Sequence, residues 1–257
     1  MSSVTFDFTG SRYLVTGASS GMGRQVTLEL AQAGAEVLAI GRNNKRLAAV
    51  QAEFPERICP AALDVCDAEV LEEAVADFVH VHGKLNGGVH AAGISEFTPL
   101  KAHDLATAHK IMDTSFWAGL EVLRLVTKAK YGEKGTSTVL FSSVSAEAPV
   151  GGEIHYSAAK AALNTALRAA AKEICGRGHR VNSVLPGWVK TSMTTQAEAD
   201  GTNMDLFTSR ELLGFGTPAD VSGMVLYLLS DRARWMTGGS NTGGWWILGL
   251  RCVGVMG

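Results

Sequence analysis

Short apolar runs alternate with stretches of helical periodicity along nearly the whole chain, and this alternation limits the fold more than any other feature. Residues 13–15, 36–40, 57–63, 87–91, 137–142 and 180–185 read as strands. Between them, residues 21–33, 44–53, 68–81, 102–130 and 154–175 read as helices. In the third of these, Val70, Leu71, Ala74, Val75 and Phe78 recur at helical spacing. A strand that is followed by a helix before the next strand must pair parallel with its neighbour. The expected class is therefore α/β, a doubly wound parallel sheet with helices on both faces. No repeat, low-complexity tract or linker interrupts the pattern, so a single domain is expected over residues 1–257.

Composition narrows the partners. A net charge of −2 offers no basic excess for nucleic acid or an acidic membrane surface. No apolar run reaches membrane-spanning length, and no leader pattern opens the chain, so a cytoplasmic protein is expected. Cys59, Cys66, Cys175 and Cys252 are scattered and read as buried or idle thiols. His80-x-His82 ends an amphipathic run and reads as a surface pair. Residues 191–217 break the strand–helix rhythm, and a segment of that length inside a compact domain is expected to be a mobile substrate lid with two short helices.

Thr16-Gly17-Ala-Ser19-Ser20-Gly21-Met22-Gly23 joins the first strand to the first helix. Glycines there let the backbone turn sharply, approach a pyrophosphate closely and pack helix on strand. Free N–H groups at the helix start favour phosphate charge. Gly17, Ser19, Ser20, Gly21, Met22 and Gly23 are thus candidate dinucleotide contacts in a Rossmann-type unit. The second strand ends Ile40-Gly41-Arg42-Asn43. Where NAD sites carry Asp or Glu for the ribose hydroxyls, this chain has Gly41, followed by a guanidinium that can pair with a 2′-phosphate. NADP(H) is the expected cofactor, through Arg42 and Asn43. NAD(H) stays open, since an exposed Arg42 would accept either.

Tyr156-Ser-Ala-Ala-Lys160 sets a phenol and an ammonium on one helical face. A free tyrosine ionises near ~10, and a neighbouring ammonium lowers that value. Such a pair can pass a proton to or from an alcohol oxygen while hydride moves to or from nicotinamide. Ser143 ends the strand Val139-Leu-Phe-Ser-Ser143 and could hydrogen-bond a substrate carbonyl, with Ser142 as the competing assignment.

The T-G-x-x-x-G-x-G turn, taken with Ser143 and the Tyr-x-x-x-Lys pair, resembles the short-chain dehydrogenase/reductase family, and the match runs over about residues 8–239. The resemblance implies a carbonyl/alcohol oxidoreductase with Ser143, Tyr156 and Lys160 at its catalytic centre. It implies that Asp64 and Val65 cradle the adenine and that Ala92 and Gly93 line the cofactor site. It also implies that the Pro186-Gly187 turn, Val189 and Thr191 hold the nicotinamide end. A small-molecule carbonyl/alcohol substrate and a homodimer or homotetramer follow from it. A 3-oxoacyl-carrier-protein reductase, or a nucleotide-binding homologue with weakened catalysis, are the alternatives.

The chain departs from the family pattern in three places. His90 stands where N-N-A-G has its first asparagine, and a buried, satisfied histidine is expected there. Ser115 takes the position of the asparagine that holds a relay water beside the lysine. Gly243-Gly244-Trp245-Trp246 stands where V-D-G-G is usual. Codons GGT and GGA at 243 and 244 would encode Val-Asp-Gly-Gly one nucleotide later, so a shifted reading frame is expected at that point.

Overall fold

The computed structural model describes residues 4–191, 194–195 and 214–242. Strands β1 (Arg12–Thr16), β2 (Glu36–Gly41), β3 (Ile58–Ala62), β4 (Leu85–His90), β5 (Gly132–Phe141), β6 (Arg180–Leu185) and β7 (Ser240–Thr242) form one sheet. Every neighbouring pair is parallel, in the order β3-β2-β1-β4-β5-β6-β7. The chain runs outward from β1 to β3, then returns to place β4 on the other side of β1. That reversal opens a crevice at the carboxyl ends of β1 and β4, where ligands of such sheets bind.

The two-residue period of each strand divides the core. Val15, Val37, Ala39, Val139 and Phe141 pack under helix α1 (Gly21–Gln32), helix α2 (Asn44–Gln51) and the last described α-helix, Pro218–Leu229. Leu14, Leu38, Ile40 and Leu85 face helix α3 (Ala68–His82) and helix α5 (Ala118–Thr127). Leu140 and Val181 pack with helix α6 (Ile154–Ile174). Side-chain caps fix several helix starts: Asn43 accepts from Arg46 N at 2.9 Å, and Asp67 from Val70 N at 3.2 Å.

The helix expected over 102–130 is instead a series of pieces. After a 3-10 turn (Leu100–Ala102), helix α4 (Leu105–Met112) is capped by Asp104, which accepts from Thr107 N at 2.7 Å. A π turn (Asp113–Trp117) links it to α5, and Ala118 N–H reaches back to Asp113 O. Lys128 leaves the helical region, and Tyr131 and Gly132 N–H both bond to Lys128 O, at 2.8 and 2.9 Å. A Cβ on Gly132 would lie 1.8 Å from Val126 O, so the tight return requires glycine. β5 therefore begins at Gly132, ahead of the expected Ser137, with a register irregularity between Leu85 and Gly87.

His80 is exposed as expected, but His82 is not a free surface residue. Its Nδ1 hydrogen-bonds Glu36 Oε2 and its Nε2 lies 3.4 Å from Cys59 Sγ, which gives the half-buried Cys59 an imidazole partner. Among the described residues no helix is long and apolar enough to cross a membrane. Most of the expected lid lies outside the described residues. Its two ends are joined by a bridge between Val189 and Gly216, with Lys190 N–H donating to Gly216 O at 2.8 Å. β7 supplies a strand beside β6, and the sequence from Gly243 onward lies outside the described residues.

Candidate active site

The crevice is walled by the turn between β1 and α1. Gly17 has φ 68°, and a Cβ on it would lie 2.7 Å from Ala91 C and Ala92 N. A Cβ on Gly23 would lie 2.4 Å from Gly17 O. Both positions need glycine because backbone meets backbone there. Ser20 is the N-cap of α1 yet makes no side-chain cap, so no cap claims the first N–H groups of this helix, whose first residues line the cleft. Gly17, Ser19, Ser20, Gly21, Met22 and Gly23 all line it, as do Ala92 and Gly93 across from them. This cradle, with glycine at 17, 21 and 23 and set at a helix N-terminus, fits a dinucleotide pyrophosphate.

Arg42, Asn43, Asp64 and Val65 line the far end of the same cleft. A Cβ on Gly41 would meet Ser19 Oγ at 3.1 Å, so the place of the usual ribose-binding acid is crowded. Arg42 is exposed and makes no ion pair among the described residues. The Asn43 oxygen is committed to capping α2, and one Asp64 oxygen accepts from Cys66 N at 3.0 Å.

A second pocket adjoins the first and shares Met22, Ile94 and Thr191 with it. Ser143 and Tyr156 line this pocket with Pro186, Gly187 and Val189. Ser143 accepts from Ser145 N at 3.1 Å and lines the pocket beside Tyr156. Ser142 Oγ lies 3.2 Å from the Lys160 carbonyl and donates to it, which ties that hydroxyl to α6. Lys160 and Ser115 line neither pocket and are buried behind the wall. A methyl group on Gly93 would lie 3.5 Å from Lys160 Nζ and 3.7 Å from Ser115 Oγ, so the two converge on one small volume. Ser115 Oγ has no protein partner among the described residues.

The expected lowering of the Tyr156 phenol is outweighed by its burial. Lys160 Nζ donates to Phe141 O at 2.7 Å and sits 5.6 Å from the Tyr156 ring centre. Burial pushes Tyr156 up to about 12; the neighbouring Ser143 hydroxyl opposes this and the Glu153 carboxylate adds to it. Burial also brings Lys160 down to about 8. Tyr156 is therefore held as the protonated phenol at neutral pH.

His90 is fully buried and satisfied, as expected. Its Nε2 lies 3.0 Å from Thr114 O and its Nδ1 2.9 Å from Thr16 Oγ1. A carbonyl can only accept, so Nε2 carries the proton and Nδ1 accepts from the Thr16 hydroxyl.

Phe97, Ser145, Glu153 and Trp188 also line the second pocket and were missed in the sequence. Glu153 had a readable signal, since it lies one helical turn before Tyr156. Phe97 and Trp188 come from loops with no motif to mark them.

The geometry has the form of a nucleotide-dependent oxidoreductase, and the comparisons agree. The profile of the family described as Enoyl-(Acyl carrier protein) reductase matches residues 17–242, and the chain belongs to the short-chain dehydrogenase/reductase family. It is an oxidoreductase of that family acting on CH–OH groups. It is 32% identical to a 3-oxoacyl-(acyl-carrier-protein) reductase of Thermotoga maritima, over 89% of this chain and 94% of that one. It is also 32% identical to an L-xylulose reductase of Caenorhabditis elegans, over 91% and 94% of the two chains. Among solved structures, a short-chain dehydrogenase/reductase from Brucella melitensis superposes with a TM-score of 0.87 at 26% identity, covering 95% of this chain and all of that one.

Proposed function

We propose that the chain interconverts a carbonyl and a secondary alcohol with NADP(H), using Tyr156 as acid/base. The observation that carries this reading is the junction of the two pockets: Ser143 and Tyr156 face a cavity that meets the glycine-walled cleft at Met22, Ile94 and Thr191. The glycine turn and the N–H groups of α1 would hold the pyrophosphate, and Arg42 a 2′-phosphate. Asp64 and Val65 would flank the adenine, and Pro186, Gly187, Val189 and Thr191 the nicotinamide end. Nicotinamide, when bound, supplies or accepts the hydride.

In the reductive direction Ser143 donates a hydrogen bond to the substrate oxygen. Tyr156, held protonated by burial, gives that oxygen its proton as the carbon is reduced. The Lys160 ammonium steadies the phenolate left behind, and Ser115 lies beside it on the route by which the proton returns. Oxidation reverses each transfer. Ser142, tied to α6, supports Ser143 as the serine in play. Exposed Leu105, Trp117 and Ile154 on or beside α4, α5 and α6 support a homodimer or homotetramer, and the free thiols of Cys59, Cys66 and Cys175 fit a reducing cytoplasm.

A second reading, a nucleotide-binding homologue with weakened turnover, is favoured by the serine at 115. NADPH oxidation measured over a panel of ketoses, simple ketones and 3-oxoacyl thioesters separates the two. Turnover on at least one class supports the enzyme, whereas tight NADPH binding with no turnover on any supports the homologue.

A further inference from the structure

At the amino ends of the strands, opposite the cofactor cleft, Glu36, Cys59 and His82 meet from β2, β3 and α3. Cys59 Sγ lies 3.4 Å from His82 Nε2, and His82 Nδ1 hydrogen-bonds Glu36 Oε2. The Phe78 ring stacks on the imidazole, with centroids 4.5 Å apart and planes inclined by 20°, which fixes its plane. A carboxylate only accepts, so Nδ1 carries the proton and the Nε2 lone pair faces the thiol. The two partners bind opposite nitrogens, so they cannot converge on one metal ion. Among the described residues no group of three metal-ligating side chains is so arranged. What remains is nucleophile, base and a group that orients the base. The cluster is reachable: Cys59 is half-buried on an edge strand, and the His82 and Glu36 side chains are 25% and 34% exposed.

We propose that Cys59 is a base-assisted nucleophilic thiol that reacts with low-molecular-weight disulfides, with His82 as the base and Glu36 as its positioning residue. The Cys59 sulfur bonds one sulfur of the disulfide as the S–S bond breaks. His82 accepts the thiol proton and passes it to the departing thiolate, leaving a mixed disulfide on Cys59 and one free small thiol. Burial and the Glu36 carboxylate push the Cys59 thiol up, so it rests protonated and depends on the base. Cys66 and Cys175 are exposed but lack an imidazole: their sulfurs meet Thr114 Oγ1 at 3.5 Å and Lys172 O at 3.4 Å. They serve as internal controls. None of this depends on the oxidoreductase reading.

The test is a time course of the full chain with oxidised glutathione at neutral pH, each cysteine followed by peptide mass spectrometry. Cys59 should be modified before Cys66 and Cys175, although it is the least exposed of the three. His82→Gln should slow Cys59 by about a hundredfold, the lower end of general-base assistance, and leave the two control rates unchanged. Glu36→Gln should slow it less. Rates that follow exposure in the unmutated protein, or a Cys59 rate indifferent to His82→Gln, would overturn the proposal. If the His82 variant does not fold, the order of reaction in the unmutated protein still decides.

Discussion

The His90 imidazole donates from Nε2 to the carbonyl oxygen of Thr114 at 3.0 Å, tying the end of β4 to the π turn that carries Ser115. Burial, reinforced by the Lys160 ammonium, holds this histidine down at about 3 from the ordinary 6.5. The unfolded chain takes up a proton near 6.5 that the folded protein refuses, so the neutral histidine's contribution is complete above that pH and is lost as pH falls toward 3. Thermal stability should therefore decline between about pH 6.5 and 4.5, before the carboxylate of Glu72, held down at about 2, begins to count. His179, lowered by burial and then by Arg177, adds to the same decline. His90→Asn should flatten the slope, which melting curves across this range would check.

Ser115 and Lys160 converge behind Gly93, which suits a relay but leaves the serine out of contact with either pocket. Ser115→Ala should lower kcat while the KM for NADPH stays unchanged. Steady-state kinetics will read this split, and an unchanged kcat would remove Ser115 from the proton route.

Arg42 is exposed at the cleft and makes no ion pair among the described residues, beside a Gly41 whose surroundings leave little room for an acid. NADPH should bind more tightly than NADH, and Arg42→Ala should narrow the gap by about 1–3 kcal/mol, the scale of hydrogen bonds to charged groups. Titration of both cofactors against both proteins checks it. Equal affinities in the unmutated protein would contradict the assignment.

The family match ends at residue 242, immediately before Gly243-Gly244-Trp245-Trp246. The gene should carry GGT and GGA at 243 and 244, giving Val-Asp-Gly-Gly in the neighbouring frame. Sequencing it is sufficient, and other codons there would show the tail to be this enzyme's own.

The parallel sheet was legible because apolar runs such as Glu36–Ile40 are short and bounded by turns, while the helices between them keep their own period. The glycine turn was legible because Gly17 and Gly23 answer to backbone contacts that no other residue allows. The π turn was not, since Ile111 and Val122 are spaced in the sequence as in an uninterrupted α-helix, about three turns apart. Nothing local announced that His90, distant in sequence, would hold the Thr114 carbonyl. The same distance hid the meeting of Glu36, Cys59 and His82. It also hid how Lys160 is held: spacing puts it beside Tyr156, but the nearby Phe141 carbonyl takes its ammonium.

The central claim is that Tyr156 donates the proton, and Tyr156→Phe removes that proton and little volume. NADPH binding followed by fluorescence, and turnover on the best substrate of the panel, should be measured on both proteins. The account predicts unchanged binding and a loss of turnover of at least about a hundredfold. A variant that keeps a substantial share of the activity would contradict it.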